Sequence, residues 1–512
     1  MTGFSRRDFL SLSGSVAVAA LAGPASAAMG PNDKFDLVIK GGDVLDPSQS
    51  LRGKRDIGIR WGMIEAIENE IPAARIGKSI DATGKLLMPG GIDVHTHLEL
   101  PFGGTVSSDD FSTGHAAAAF GGTTTHLDFV IQGKGRSLHD GLADWHRKAD
   151  PKAQIDYGFH MAITDLRPEV MDEIPSLVAD GVTSLKLFMA YKNVFQVDDT
   201  TLFRTMMTAA EHGMLIMVHA ENGDVIDDLV HKYLANGQTD PIYHAYSRPS
   251  AVEGEATGRA VALAGVAGCP LYVVHMTCEE AIQQLRLGRA RSLPVMGETC
   301  VQYLFLTEDD LARSGYEGAK FVCSPPVRTV HDQGVLWNAL RDRTLQVVST
   351  DHCPFWYEGG GTELDLAMRE ALAITGSTQG QRGEGANGLP VIEDRMKIMW
   401  HYGVRGGHFD ANRFVELMCT NPAKIFGLYP RKGTIAVGSD ADIVVWDPDR
   451  TETVSYKTDH MNVDYNLFEG HEIVGGPSAV FLRGSQIVDG ARWLGKNGQG
   501  QFLKRNAYAP VL

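Results

Sequence analysis

Between Phe35 and about Pro89 the chain alternates apolar and polar residues in short runs. Asp36-Leu-Val-Ile-Lys, Asp56-Ile-Gly-Ile-Arg and Met63-Ile-Glu-Ala-Ile are separated by glycine turns and read as strands. The same texture returns after Lys432, in Ala441-Asp-Ile-Val-Val-Trp and Ala479-Val-Phe-Leu-Arg-Gly. Two β-rich pieces at opposite ends predict one small β-sandwich domain assembled from both, over 31–89 and 431–512, with a C-terminal tail. Between them eight apolar runs alternate with helical stretches: 91–97, 123–130, 157–164, 184–189, 214–219, 271–275, 294–300 and 345–351. Strands alternating with helices predict a parallel sheet, and eight repeats over 90–430 predict an α/β fold, a closed TIM-like (β/α)8 barrel.

The first 30 residues belong to neither domain. Ser5-Arg6-Arg7-Asp8-Phe9-Leu10 is a twin-arginine pattern, followed by a weakly apolar run from Leu12 to Ala22 and the small-residue site Ala25-Ser26-Ala27. That order predicts a Tat-type export signal and a periplasmic protein. The apolar run is shorter than the ~20 residues of a membrane span, and no other segment reads as transmembrane. The Tat route carries folded proteins, so a metal would be loaded before export.

Composition narrows the partners. The apolar and charged fractions, 43% and 21%, are those of an ordinary globular protein. A net charge of −16, with no basic run after the first few residues, argues against a nucleic-acid-binding surface, which needs clustered Lys and Arg. Six cysteines would permit disulfides in an exported protein. However, Cys269, Cys300, Cys323 and Cys353 sit in or beside apolar strand-like runs, without zinc-binding spacing, and read as core thiols.

In such a barrel the reactive side chains stand at the C-terminal ends of the strands. The first run ends Asp93-Val94-His95-Thr96-His97, and a two-residue period turns both histidines the same way. The fifth ends in His219, the sixth in His275 and the eighth in Thr350-Asp351-His352. A single strand-end histidine is more often a hydrogen-bonded structural residue. Four histidines and an aspartate closing four different strands are hard to explain as core, since each unsatisfied buried polar group costs ~1–3 kcal/mol. A divalent-metal centre accounts for them together. Lys186, inside the apolar run Ser184-Leu-Lys-Leu-Phe188, reads either as half of a structural ion pair or as an amine that captures CO2, giving a carbamate able to bridge two metals.

Pro89 to His97 (PGGIDVHTH) resembles the opening signature of the amidohydrolase superfamily. Leu98 to Thr105, Thr183 to Asn193 (TSLKLFMAYKN), Val218 to Asp224 (VHAENGD), Ser247-Arg-Pro, Cys323 to Arg328 (CSPPVR), Asp351 to Phe355 (DHCPF) and Asn387 to Arg395 (NGLPVIEDR) resemble its dihydropyrimidinase/D-hydantoinase branch. The resemblance runs from about Phe35 to the C-terminal β segment. It implies that His95, His97 and Asp351 hold one metal, His219 and His275 a second, and carboxylated Lys186 (N6-carboxylysine) bridges both. It further implies that Tyr191 stabilises the oxyanion, that Ser324 and Asn387 contact a cyclic ureide, and that the assembly is a homotetramer. Zinc is the default metal for these ligand types, and manganese, iron or cobalt would fit them too. The implied reaction is ring opening to an N-carbamoyl amino acid, with Asp351 shuttling the proton.

Two features depart from the branch. Val301 follows Cys300 where proline is usual, and the stretch from Phe355 to Asn387 is longer and richer in glycine. The export signal also shifts the reading from housekeeping pyrimidine catabolism toward scavenged hydantoins or related cyclic imides. A dihydroorotase- or allantoinase-like activity is the nearest rival, but Leu98-Glu99-Leu100 offers no arginine after the His-x-His pair. A non-catalytic scaffold on the same fold would lack the ligands.

Overall fold

A computed structural model of the chain describes residues 30, 33–102, 105–314, 317–357 and 387–510. Apart from Gly30, the expected export signal lies outside these residues, as does most of the Gly-rich stretch after Phe355.

Each of the eight apolar runs forms a barrel strand. In chain order they are Gly91–Thr96, Thr123–Ile131, Asp156–Ala162, Ser184–Phe188, Leu215–His219, Leu271–Val273, Val295–Cys300 and Val347–Ser349, all parallel and hydrogen-bonded in sequence order. Helices cross back between consecutive strands, many with side-chain caps that satisfy their first amides. Ser137 accepts from the Asp140 amide, Asp198 from Thr201 and Asn222 from Val225, while Thr329 and Asp332 form a capping box. The strands are buried on both faces, which is why they read as near-continuous apolar runs.

The barrel closes by an indirect seam. Strands one and eight share only an isolated bridge, Thr96 to His352, and one bond from the His97 amide to the His352 carbonyl at 2.9 Å. Below it, the fully buried Arg395 donates through Nη1 to the Ile92 carbonyl (2.9 Å) and the Val348 carbonyl (3.0 Å), and through Nη2 to Thr123 Oγ1 (2.9 Å). The Thr350 hydroxyl is 2.6 Å from Asp93 Oδ2 and 3.0 Å from the His95 carbonyl. Side chains thus satisfy strand carbonyls at the seam.

The two chain ends meet in one nine-stranded mixed sheet. Leu86–Pro89 pairs antiparallel with Ile443–Thr453, with Leu87 opposite Val445, and so joins the N-terminal strands to the C-terminal ones. A buried ionic cluster fastens this sheet to the barrel. Lys432 Nζ lies 2.6 Å from Asp156 on the third strand, 2.6 Å from Asp442 and 3.0 Å from Asp440. The tail then returns to the barrel, crossing the N-terminal ends of the strands. The Leu503 amide bonds the Tyr157 carbonyl (2.7 Å), that of Arg505 bonds Gly181 (3.1 Å) and that of Tyr508 bonds Gly213 (2.8 Å). Leu503 is fully buried in the cluster that fills the barrel interior. All six cysteines are free and buried, as expected of core thiols, and among the described residues no helix is long and apolar enough to cross a membrane.

Replacing Arg395 with alanine strips the seam carbonyls of their donor and leaves Asp93, 3.9 Å from the guanidinium, without that cation. The expected cost is ~3–5 kcal/mol, the range for breaking one side of a buried charge network. The denaturation midpoint should fall accordingly, whereas Arg147→Ala, which removes an exposed pair with Asp144, should leave it nearly unchanged.

Candidate metal and catalytic site

At the C-terminal mouth of the barrel the strand ends bring together the residues singled out from the sequence. His95 Nε2 and His97 Nε2 each lie 3.0 Å from the same oxygen, Asp351 Oδ1, and the three side chains form one metal-capable group. Opposite them, His219 Nδ1 faces His275 Nε2 at 2.9 Å. His95 and His275 stack with ring centroids 5.4 Å apart, so the two pairs are adjacent. Lys186 projects between them from the fourth strand, 1% exposed, with Nζ 5.1 Å from the Phe129 and Phe188 ring centroids. Among the described residues no carboxylate reaches ion-pair distance of that nitrogen, which removes the structural ion-pair reading.

Two of these side chains are aimed by unusual backbone. His275 and Asp351 lie just beyond the ends of their strands with φ of 38° and 53°. Left-handed conformations of this kind are uncommon outside glycine and cluster at functional sites. They end the alternation of the strand and re-aim the side chain. Tyr191 has φ 68°, and its carbonyl accepts the amides of Val194, Phe195 and Gln196 in a tight turn after the fourth strand.

The electrostatics suit cations. Burial alone would lower the His95 pKa, but the Asp351 and Glu298 carboxylates beside it overcome that and push it up to about 9. In the same way His95 and His97 hold Asp351 well below the usual carboxylate range against its burial. Burial brings Lys186 down to about 7, so that a neutral, CO2-reactive amine is within reach near neutral pH. Enclosure, with the Glu221 carboxylate adding to it, raises the Tyr191 phenol, which stays a hydrogen-bond donor.

The second histidine pair is also spaced as metal donors would be. A tetrahedral zinc sphere with Zn–N of ~2.0–2.1 Å places ligand nitrogens about 3.3 Å apart, close to the spacing of the facing His219 and His275 nitrogens. The buried Nδ1 atoms of His97 and His275 have no hydrogen-bond partner, so neither ring is held by an ordinary structural contact at that edge.

A cleft of about 500 Å³, counted together with the open space at its mouth, lies beside this cluster. Its polar lining includes His97, Asp351, Tyr191, Ser324 and Asn387, and its apolar walls include Leu100, Phe102, Ile131 and Phe195. Asn387 Nδ2 donates to Ser324 Oγ at 2.8 Å, while Asn387 Oδ1 is left without a partner. All nine residues expected from the sequence therefore converge: five line the cleft, while His95, Lys186, His219 and His275 are buried beside it. Sequence reading missed two buried carboxylates behind the histidines. Glu298 Oε1 lies 2.6 Å from His95 Nδ1, and Glu221 Oε2 lies 2.8 Å from His219 Nε2. A charged residue inside the apolar run Val295–Cys300 was the available signal for Glu298, and Glu221 lay within a quoted motif without an assigned role.

Comparison with known proteins agrees with this geometry. The Amidohydrolase family model matches residues 86–473. D-hydantoinases of Geobacillus stearothermophilus and Streptomyces coelicolor are 46% and 48% identical, covering 93% and 91% of this chain and 98% and 97% of theirs. The crystal structure of dihydropyrimidinase from Brevibacillus agri superposes with a TM-score of 0.87 at 49% identity, over 92% of this chain and 99% of that one. An L-hydantoinase (dihydropyrimidinase) from Arthrobacter aurescens shares 28% identity with a TM-score of 0.80, over 91% and 99% of the two chains. With its barrel, its matched span and relatives at 46–49% identity over most of its length, the chain belongs to the amidohydrolase family.

Proposed function

We propose that this protein hydrolyses the ring amide of cyclic ureides, 5-substituted hydantoins and dihydropyrimidines, to N-carbamoyl amino acids. The observation that carries this reading is the convergence of four histidines, Asp351 and an unpaired buried lysine beside an apolar-walled cleft. The hydantoinase and dihydropyrimidinase names of relatives at 46–49% identity support the substrate class. They also favour the D series, since the L-hydantoinase shares only 28%.

His95, His97 and Asp351 would hold one divalent cation, His219 and His275 the other, with Lys186 as its carbamate between them and zinc as the expected metal. When bound, such cations supply Lewis acidity, making water nucleophilic near neutral pH and polarising a carbonyl. The protein's own groups do the rest. Ser324 and Asn387 set the plane of the ureide, and the apolar walls take the ring substituent and exclude water. The Tyr191 hydroxyl donates to the carbonyl oxygen as negative charge develops on it. Asp351 takes the proton of the attacking water and returns it to the ring nitrogen as the C–N bond breaks. The assembly is proposed to be the homotetramer implied by the family resemblance, and the twin-arginine pattern supports export to the periplasm.

Four outcomes test this reading. Purified mature protein should turn over members of a panel of dihydrouracil and both enantiomers of 5-substituted hydantoins, losing activity on chelation. Absence of turnover with metal bound would redirect the search to other cyclic imides, and absence of both would restore the scaffold. Lys186→Ala should abolish turnover and reduce metal content by elemental analysis. Tyr191→Phe should keep its metal while kcat falls ~10²–10³-fold, the cost of one oxyanion donor. Changing Arg6 and Arg7 together to lysine should retain the protein in the cytoplasm, as followed by cell fractionation.

A further inference from the structure

Each histidine pair contains one ring that is backed by a buried carboxylate and one that is not. In the first pair, His95 Nδ1 lies 2.6 Å from Glu298 Oε1, whereas His97 Nδ1 is buried without a partner. In the second, His219 Nε2 lies 2.8 Å from Glu221 Oε2, whereas His275 Nδ1 is buried without one. The carboxylates meet opposite ring edges: the nitrogen left free is Nε2 on His95 and Nδ1 on His219. In both cases the free nitrogen is the one turned into the cluster, toward Asp351 and toward His275 respectively.

Both glutamates are built in rather than incidental. Glu298 is 0% exposed, and its second oxygen accepts the Tyr272 hydroxyl at 2.9 Å. Glu221 is 1% exposed and lines a small cavity together with Arg248, its second oxygen buried without a hydrogen bond. A carboxylate accepting a ring N–H fixes that tautomer and makes the opposite nitrogen a stronger donor to a metal.

We infer that Glu298 and Glu221 are positioning residues, one for each cation, which select opposite tautomers of His95 and His219 and make these two rings the anchoring ligand of their pair. This rests on the two-cation reading above. His97 and His275, lacking an acceptor, complete each set as weaker ligands. The two rings thereby have separate buttresses, Glu298 within the seventh strand and Glu221 just beyond the fifth. Although Glu298 Oε1 also accepts the His275 backbone amide at 3.4 Å, each glutamate meets only one ring nitrogen, so the two affinities can be altered one at a time.

The test is metal retention by the full-length holoenzyme loaded with zinc and dialysed against graded chelator, with zinc counted per protomer and the folded state followed by circular dichroism. Glu298→Gln and Glu221→Gln should each release one zinc at chelator concentrations about 10–100-fold below wild type, the usual effect of removing such a partner, and keep the other. The double variant should release both. Glu298→Asp keeps the buried charge but withdraws the oxygen from His95, and should release the same single zinc even if Glu298→Gln fails to fold. Wild-type retention of both ions in these variants would overturn the assignment while leaving the two-cation reading intact. Simultaneous loss of both from either single variant would overturn the division of one glutamate per cation. A wild-type protein that binds fewer than two ions would overturn both readings.

Discussion

The guanidinium of Arg395 bonds the Ile92 and Val348 carbonyls, and through them ties the first barrel strand to the eighth. Those strands lie at opposite ends of the sheet's order, and the first leads into His95 and His97 while the eighth leads into Asp351. His95 and His97 can each approach within 3.0 Å of Asp351, as the metal-capable group requires, only when the sheet has curled shut. Backbone pairing supplies little of that closure, so a buried side-chain network carries it. Charge-assisted hydrogen bonds contribute roughly 1.5–3 kcal/mol each, enough to make one arginine decisive for the geometry of a site at the other end of the strand.

Much of this arrangement was legible before any coordinates. Parallel strands buried on both faces leave unbroken apolar runs, so all eight were visible, and the polar residue that ended each run marked the mouth of the barrel. Lys186 stood out because an ammonium inside such a run has no ordinary explanation. The β texture at both ends foretold a shared domain, and the pairing of Leu86–Pro89 with Ile443–Thr453 is where they join. What could not be read depends on tertiary contact. Glu298 differs from any buried glutamate only by the imidazole 2.6 Å away, which comes from a strand 203 positions distant in sequence. The left-handed backbone at His275 and Asp351 leaves no mark in composition, although it decides where both side chains point. Arg395 closed a quoted motif, but its role at the seam depends on three strands that the motif does not contain.

The chemistry and the stability of the fold draw on the same device, charge buried among partners. Around Lys432 the partners are carboxylates and the result is a lock between sheet and barrel, which raises the lysine's pKa beyond its ordinary value despite burial. Around Lys186 there is no such partner among the described residues, and burial lowers its pKa instead. Two lysines of similar burial are therefore set apart by their neighbours, one fixed as a structural cation and the other shifted toward its neutral amine.

The route of the tail has a consequence for how the fold can come together. Leu503 and Arg505 lie across the floor of the barrel, and the nine-stranded sheet needs strands from beyond residue 443. Floor, sheet and seam each join residues far apart in sequence: Tyr157 with Leu503, Leu87 with Val445, and Ile92 with Arg395. Contacts of that range close large loops, and local structure alone completes none of them. The side chains drawn from the first and eighth strands acquire their final spacing only with such distant contacts in place, which ties the candidate metal site to the fold of the whole chain rather than to any one segment.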